Sequence, residues 1–223
     1  MLIKNFLQFI FEKVDIITPI IAYHGSRVKF DTFSEYYMGQ TDAGYYGRGF
    51  YFTNDKEYAS EFCGYLYEVK LNINKPFILP NDSTSDSPVM FEARDKLVEV
   101  YPEAEHLKTI RTIPSGYHLV KTEDNLYCVY PNEELYNTDA EIYGEDGRTE
   151  LEAIIIFNDI LNGVDWELGW VTSILKNLGR DEFTDRLNKL GYDILIIEDN
   201  KHDTLEYVMW DKSKIKILNI LEN

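Results

Sequence analysis

The chain has 223 residues, 44% of them hydrophobic and 14% aromatic, with 39 acidic against 22 basic side chains and a formal net charge of −17. This describes one folded domain, or one domain with a large insertion, and excludes a disordered polar chain. The negative field opposes general binding to phosphate backbones, leaving only a local basic patch open; the two cysteines, Cys63 and Cys128, and four scattered histidines lack zinc spacing, and the cysteines fit a reducing compartment or indifference to redox state.

The first residues, Met1 to Phe11, are apolar but are interrupted by Gln8 and followed by Glu12, Lys13 and Asp15. No small-residue cleavage site follows, so the stretch reads as an amphipathic helix and not as a signal peptide or membrane span. Residues 16–23 read as a strand entered after Pro19 and ending in His24-Gly25-Ser26-Arg27. A histidine there sets an imidazole beside exposed backbone, although a lone His-Gly is commonly structural. Phe30 and Phe33 bracket a polar turn.

The run Gly44-Tyr45-Tyr46-Gly47-Arg48-Gly49-Phe50-Tyr51-Phe52-Thr53 is the stretch around which the chain is organised. Its glycines permit a tight turn into a short strand. Alternation then puts Phe50 and Phe52 on one face and Tyr51 on the other. With the two phenylalanines in the core, Tyr51 faces a cleft or water. Asn54 or Asp55 caps a short helix. Phe62 stands near its far end, either packing in the core or curling back toward the cleft.

Residues 66–73 alternate cleanly, with Tyr67, Val69, Leu71 and Ile73 on one face, and Asn74-Lys75-Pro76 ends the strand. Residues 80–88 form a loop and 89–100 a helix. Beyond 101 the pattern weakens: 126–130 is a candidate strand, 139–146 an acidic surface segment, and 153–157 a buried strand or helix. Helices are expected at 166–178 and 181–190, broken at Gly179. Residues of about 80–188 thus read as a largely helical insertion in a single domain spanning 1–223. Gly191-Tyr192-Asp193 turns the chain into a buried strand at 194–197. A polar hairpin loop leads to a strand at 205–210, and the last strand covers 214–220. Glu206 opens an otherwise apolar strand, either at a water-facing edge or as an acid fixed at the mouth of a cleft.

His24-Gly25-Ser26, Gly47-Arg48-Gly49-Phe50-Tyr51-Phe52 and Glu206-Tyr207-Val208 together resemble the ADP-ribosyltransferase superfamily. The resemblance is to its His-Tyr-Glu branch, like diphtheria toxin and the poly(ADP-ribose) polymerases, and in particular to small domains of toxins and phage-associated polyvalent proteins. It covers about residues 20–78 and 188–220. It implies an α+β ADP-ribosyltransferase fold, with small mixed or antiparallel split β-sheets around an NAD cleft and a helical insertion.

The resemblance also implies roles. His24 would hold the adenosine-side ribose, the Gly25 backbone the nicotinamide amide, and Ser26 a ribose or the amide. Tyr51 would stack on the nicotinamide with Phe62 closing the other side. Ala59 falls at a small-residue position where some relatives carry a hydroxyl. Arg48 would contact the diphosphate or serve the surface. Glu206 would bond the 2′-hydroxyl of the nicotinamide ribose and oppose the charge that grows as the glycosidic bond breaks. NAD+ is thereby the substrate, with no metal.

The implied activity is mono-ADP-ribosyl transfer to a macromolecule. A protein acceptor is favoured because the acidic charge weighs against nucleic acid. Thr204, two residues before Glu206, stands where arginine-modifying members carry a second acid, which disfavours an arginine acceptor. The alternatives are an NAD+ glycohydrolase using water and a catalytically silent binding module on the same fold. A toxin or phage-borne effector in bacterial or host cytoplasm, not at a membrane and with an inhibitor or antitoxin partner, fits this picture.

Overall fold

The structure, a computed structural model, describes residues 18–38, 44–61, 64–80, 87–108, 111–130, 149–164, 170–199 and 204–222. The expected N-terminal helix, Phe62 and the acidic segment 139–146 lie outside the described residues. The chain divides into two compact units, residues 1–78 with 181–223, and residues 79–180.

The first unit is built on a sheet. Its strands are β1 (Thr18–Ser26), β2 (Phe50–Thr53), β3 (Tyr65–Ile73), β4 (Pro76–Leu79), which ends at the unit boundary, β7 (Ile194–Asp199), β8 (Thr204–Met209) and β9 (Ile215–Glu222). They lie in the order β4-β7-β8-β2-β1-β3-β9. The β1–β3, β3–β9, β2–β8 and β7–β8 pairs are antiparallel. Alternation along β3 is realised, with Tyr67, Val69 and Leu71 fully buried. They join Ala22, Phe33, Phe50, Phe52, Ile196 and Tyr207 in one core.

One expectation is corrected. β1 does not end before His24 but runs through Ser26, since Gly25 and Ser26 pair with Leu66 and Tyr65 of β3. β3 ends at Ile73 as expected, and Pro76 then opens a further strand, β4, where the missing amide is tolerated at the first residue of a strand on the sheet's edge. Asp193 fixes the intervening turn. Its carboxylate accepts from the amides of Asn74 (2.7 Å) and Lys75 (3.0 Å) and from Lys214 Nζ (2.6 Å).

The second unit holds helices α2 (Pro88–Val100), α3 (Glu150–Leu161) and α4 (Trp170–Leu178) and the hairpin β5 (His118–Lys121)–β6 (Tyr127–Tyr130). Ser87 and Thr149 cap α2 and α3 by accepting from the amides of Met90 and Glu152. The apolar run at 153–157 is therefore helix, part of α3. In the interior, Arg94 grips Asp159 with two bonds of 3.0 and 2.7 Å, and Trp170 Nε1 donates to the same carboxylate at 3.1 Å. Burial raises the Asp159 pKa, and the guanidinium opposes that rise.

Candidate active site

The registers align one row across the sheet: Asn219, Glu68, Tyr23, Thr53, Glu206 and Ile197 are successive partners on β9, β3, β1, β2, β8 and β7. Partners face the same way, and alternate residues of a strand share a face. Tyr51, Thr53 and Glu206 therefore stand on one face of the sheet. His24 starts from the other, with Phe52 and Tyr207.

The join between β1 and β2 differs from the rest. Tyr23↔Thr53 is their single register pair, whereas β1 and β3 share nine. The Ser26 carbonyl accepts from the Gly64 amide at 3.1 Å, so Ser26 directs its polar backbone groups toward β3. Successive residues of a strand point these groups in opposite directions. Gly25 accordingly aims its amide and carbonyl at β2, beyond the point where β2 pairs. That leaves a flat donor–acceptor edge at the seam.

His24 spans the seam. Its Nδ1 lies 2.8 Å from the Tyr51 carbonyl oxygen. A carbonyl only accepts, so Nδ1 carries the proton and Nε2 of the neutral ring is an acceptor. Burial lowers the His24 pKa, against the opposite pull of the Tyr51 carbonyl, which keeps the neutral form at pH 7. Phe33, Phe52, Phe30 and Tyr67 surround the imidazole, with ring centroids 5.3 to 6.1 Å away.

Tyr51 is seated in the glycine loop before β2. Its hydroxyl donates to the Gly47 carbonyl at 2.6 Å and accepts from the Tyr46 amide at 3.1 Å. Its ring occupies the space that a Cβ on Gly44 would need, and Gly44 has φ +66°. Both facts demand glycine there.

Glu206 is not at an edge, as one reading of the sequence had it. β8 runs between β7 and β2. The side chain is half-buried and its Oε2 is shielded from solvent. Just past this point β2 and β8 are locked through Asn54, which donates its amide to the Leu205 carbonyl (3.2 Å) and accepts the Leu205 amide on Oδ1 (2.8 Å).

The remaining candidates are placed as follows. The Ser26 hydroxyl is engaged in its own turn, donating to the Val28 carbonyl at 2.8 Å. Ala59 is buried on α1 (Lys56–Ser60), which Asp55 caps by accepting from the amides of Glu57 and Tyr58. Arg48 is exposed. Tyr23 and Thr53, which the sequence did not single out, share the face of Glu206. Their signal was parity: Tyr23 precedes His24 and so takes the opposite face, and Thr53 follows Tyr51 by two. Among the described residues no cluster of three or more His, Cys, Asp or Glu side chains could hold a metal ion, and no helix is long and apolar enough to cross a membrane.

These features define an α+β protein whose sheet is nearly parted between the antiparallel strands β1 and β2, with a phenol and a carboxylate on one face beside the gap. Residues 18–156 match the family described as ADP-ribosyltransferase in polyvalent proteins, and the chain belongs to that family. Membership supports an ADP-ribosyltransferase-type activity, for which NAD+ is the typical substrate. The matched stretch contains His24 and Tyr51, and Glu206 lies beyond it. Among solved structures, one described as the crystal structure of an anti-CRISPR protein is similar at 12% identity and a TM-score of 0.34, over 90% of this chain and 96% of that one. A search of curated proteins found no match.

Proposed function

We propose that the protein is a mono-ADP-ribosyltransferase of the His-Tyr-Glu branch that cleaves NAD+ and transfers ADP-ribose to a macromolecule, a protein side chain in preference to nucleic acid. The observation that carries this reading is the placement of Tyr51 and Glu206 on one face beside the unpaired edge of Gly25. The amide and carbonyl of Gly25 match the carboxamide of nicotinamide, donor to acceptor and acceptor to donor. Tyr51 offers a ring already immobilised by its loop, so stacking costs little conformational entropy. His24 Nε2 is free of the proton that Nδ1 holds, and accepts a ribose hydroxyl.

The chemistry follows from the leaving group. The bond between the ribose C1′ and the nicotinamide nitrogen breaks, and its electron pair leaves with neutral nicotinamide. Positive charge then spreads over C1′ and the ring oxygen. The Glu206 carboxylate, partly withdrawn from water, accepts the 2′-hydroxyl proton in a hydrogen bond and opposes that charge. The acceptor's lone pair closes the new bond to C1′, and its proton passes to solvent.

The test is incubation of the full chain with labelled NAD+ and a cell extract, beside Glu206→Gln. Label in protein with the native chain, reduced about 100-fold or more by the substitution, is expected. Free ADP-ribose with no labelled protein would replace transfer by hydrolysis. Equal labelling by both forms would remove the role given to Glu206.

A further inference from the structure

Among the described residues the sheet ends in β9, whose one strand neighbour is β3. An edge strand presents unpaired backbone groups to any chain able to align with it. The two halves of β9 are treated differently. Toward the C-terminal half the register shifts opposite Glu68/Val69, and Asn219 Oδ1 takes the Ile220 amide at 3.0 Å. A bulge and a side-chain cap of this kind blunt an edge. The other half, Ile215 to Ile217, is regularly paired, with neither bulge nor cap, and its one guard is the charge of Lys216, which repels a basic or like strand but not an acidic one.

That open half borders a groove of about 500 Å³, formed with the segment Asp31–Phe33. Phe33, Ile215 and Ile217 give it an apolar lining, and Lys212 and Lys216 stand along it against the single carboxylate of Asp31. Lys216 also pairs directly with Lys70 of β3. Two like charges facing each other across a ladder repel. No acidic side chain lies within ion-pair distance of either among the described residues, in a chain whose net charge is −17. Lys212 reaches Glu35 only at 4.0 Å, with both side chains more than half exposed. Cationic charge gathered at an edge strand and its apolar groove fits an extended acidic chain.

We propose that β9 and this groove form a docking site for an extended acidic peptide of a partner protein, which adds as a strand beside Ile215–Ile217. Apolar side chains on one face of the peptide enter the groove, and its carboxylates meet Lys212 and Lys216. Main-chain bonds supply affinity and alternate side chains supply selectivity, as in other strand additions. Phe33 packs edge-on against His24 at 5.3 Å, so the docked peptide touches the shell of the candidate active site. The proposal does not depend on the transferase reading.

The test is selection of a random ten-residue peptide library on the immobilised full chain. Enriched peptides should alternate Asp or Glu with apolar residues and protect the β9 amides from hydrogen exchange. Lys212→Glu with Lys216→Glu should weaken the enriched peptide tenfold or more, and methylation of its alternate backbone amides should abolish binding. Several outcomes would overturn the proposal: unchanged affinity for the doubly substituted protein, unchanged affinity of the methylated peptide, protection confined to other strands, or equally tight binding by an oligonucleotide of the same charge.

Discussion

The imidazole of His24 donates to the main-chain oxygen of Tyr51 across 2.8 Å, joining two strands where the ladder between them supplies one register pair. A histidine expected to serve the ligand thus holds the strand that carries Tyr51. His24→Phe keeps an aromatic ring, somewhat larger, and loses the bond to the Tyr51 carbonyl, at a cost of about 1–3 kcal/mol. His24→Gln retains a donor. Urea unfolding should show the larger loss for Phe, and KM for NAD+ should rise in both.

Acid should weaken the fold through the same residue. The folded state holds the His24 pKa below its ordinary 6.5 because burial disfavours the imidazolium. As pH falls below about 6.5 the unfolded chain takes up a proton that the native ring resists, so stability declines until the lowered pKa is reached. Above 6.5 this group contributes no slope. The midpoint of thermal unfolding, followed from pH 7.5 to 5.5, should fall more steeply for the native chain than for His24→Gln.

Gly44→Ala should disturb Tyr51 without touching it in sequence. The new methyl would collide with the Tyr51 ring, and the backbone there has φ +66°. Overpacking and the positive φ together should cost about 1–3 kcal/mol. NAD+ turnover should fall at least tenfold as the ring leaves its seat. An unchanged Tyr51 environment by NMR would contradict this.

In the second unit, Arg94 and Asp159 are both almost completely buried. Removing one partner strands a charge, so Arg94→Met should cost about 3–5 kcal/mol. Arg94→Met with Asp159→Leu should recover much of the loss, because the pair's attraction largely offsets its own desolvation. Chemical denaturation of both single variants and the double variant closes the cycle.

Much of the sheet was legible from alternation. Tyr67, Val69 and Leu71 had to share a face, and Phe50 and Phe52 had to oppose Tyr51. What periodicity within a strand does not carry is the alignment between strands. That Glu206 faces Thr53, and that both stand with Tyr51, depends on register set by long-range packing and by Asn54 at the strand ends. β4 escaped notice because Pro76 reads as a terminator unless the strand is known to lie at an edge. Asp193 looked like an ordinary turn residue, and its bonds to Asn74, Lys75 and Lys214 span up to 119 positions. The charged contact of Arg94 with Asp159 is separated by 65 positions and had no local pattern to announce it.

The lone Tyr23↔Thr53 pair has a mechanical corollary. Wedging a planar heterocycle between these strands would not unzip a ladder, since hardly any rungs exist there to break. What a wedge would strain is the bond from the His24 imidazole to the Tyr51 carbonyl, while β1 keeps its nine rungs with β3 and β2 its four with β8. In this sheet, one boundary hangs on a single side chain and a single rung.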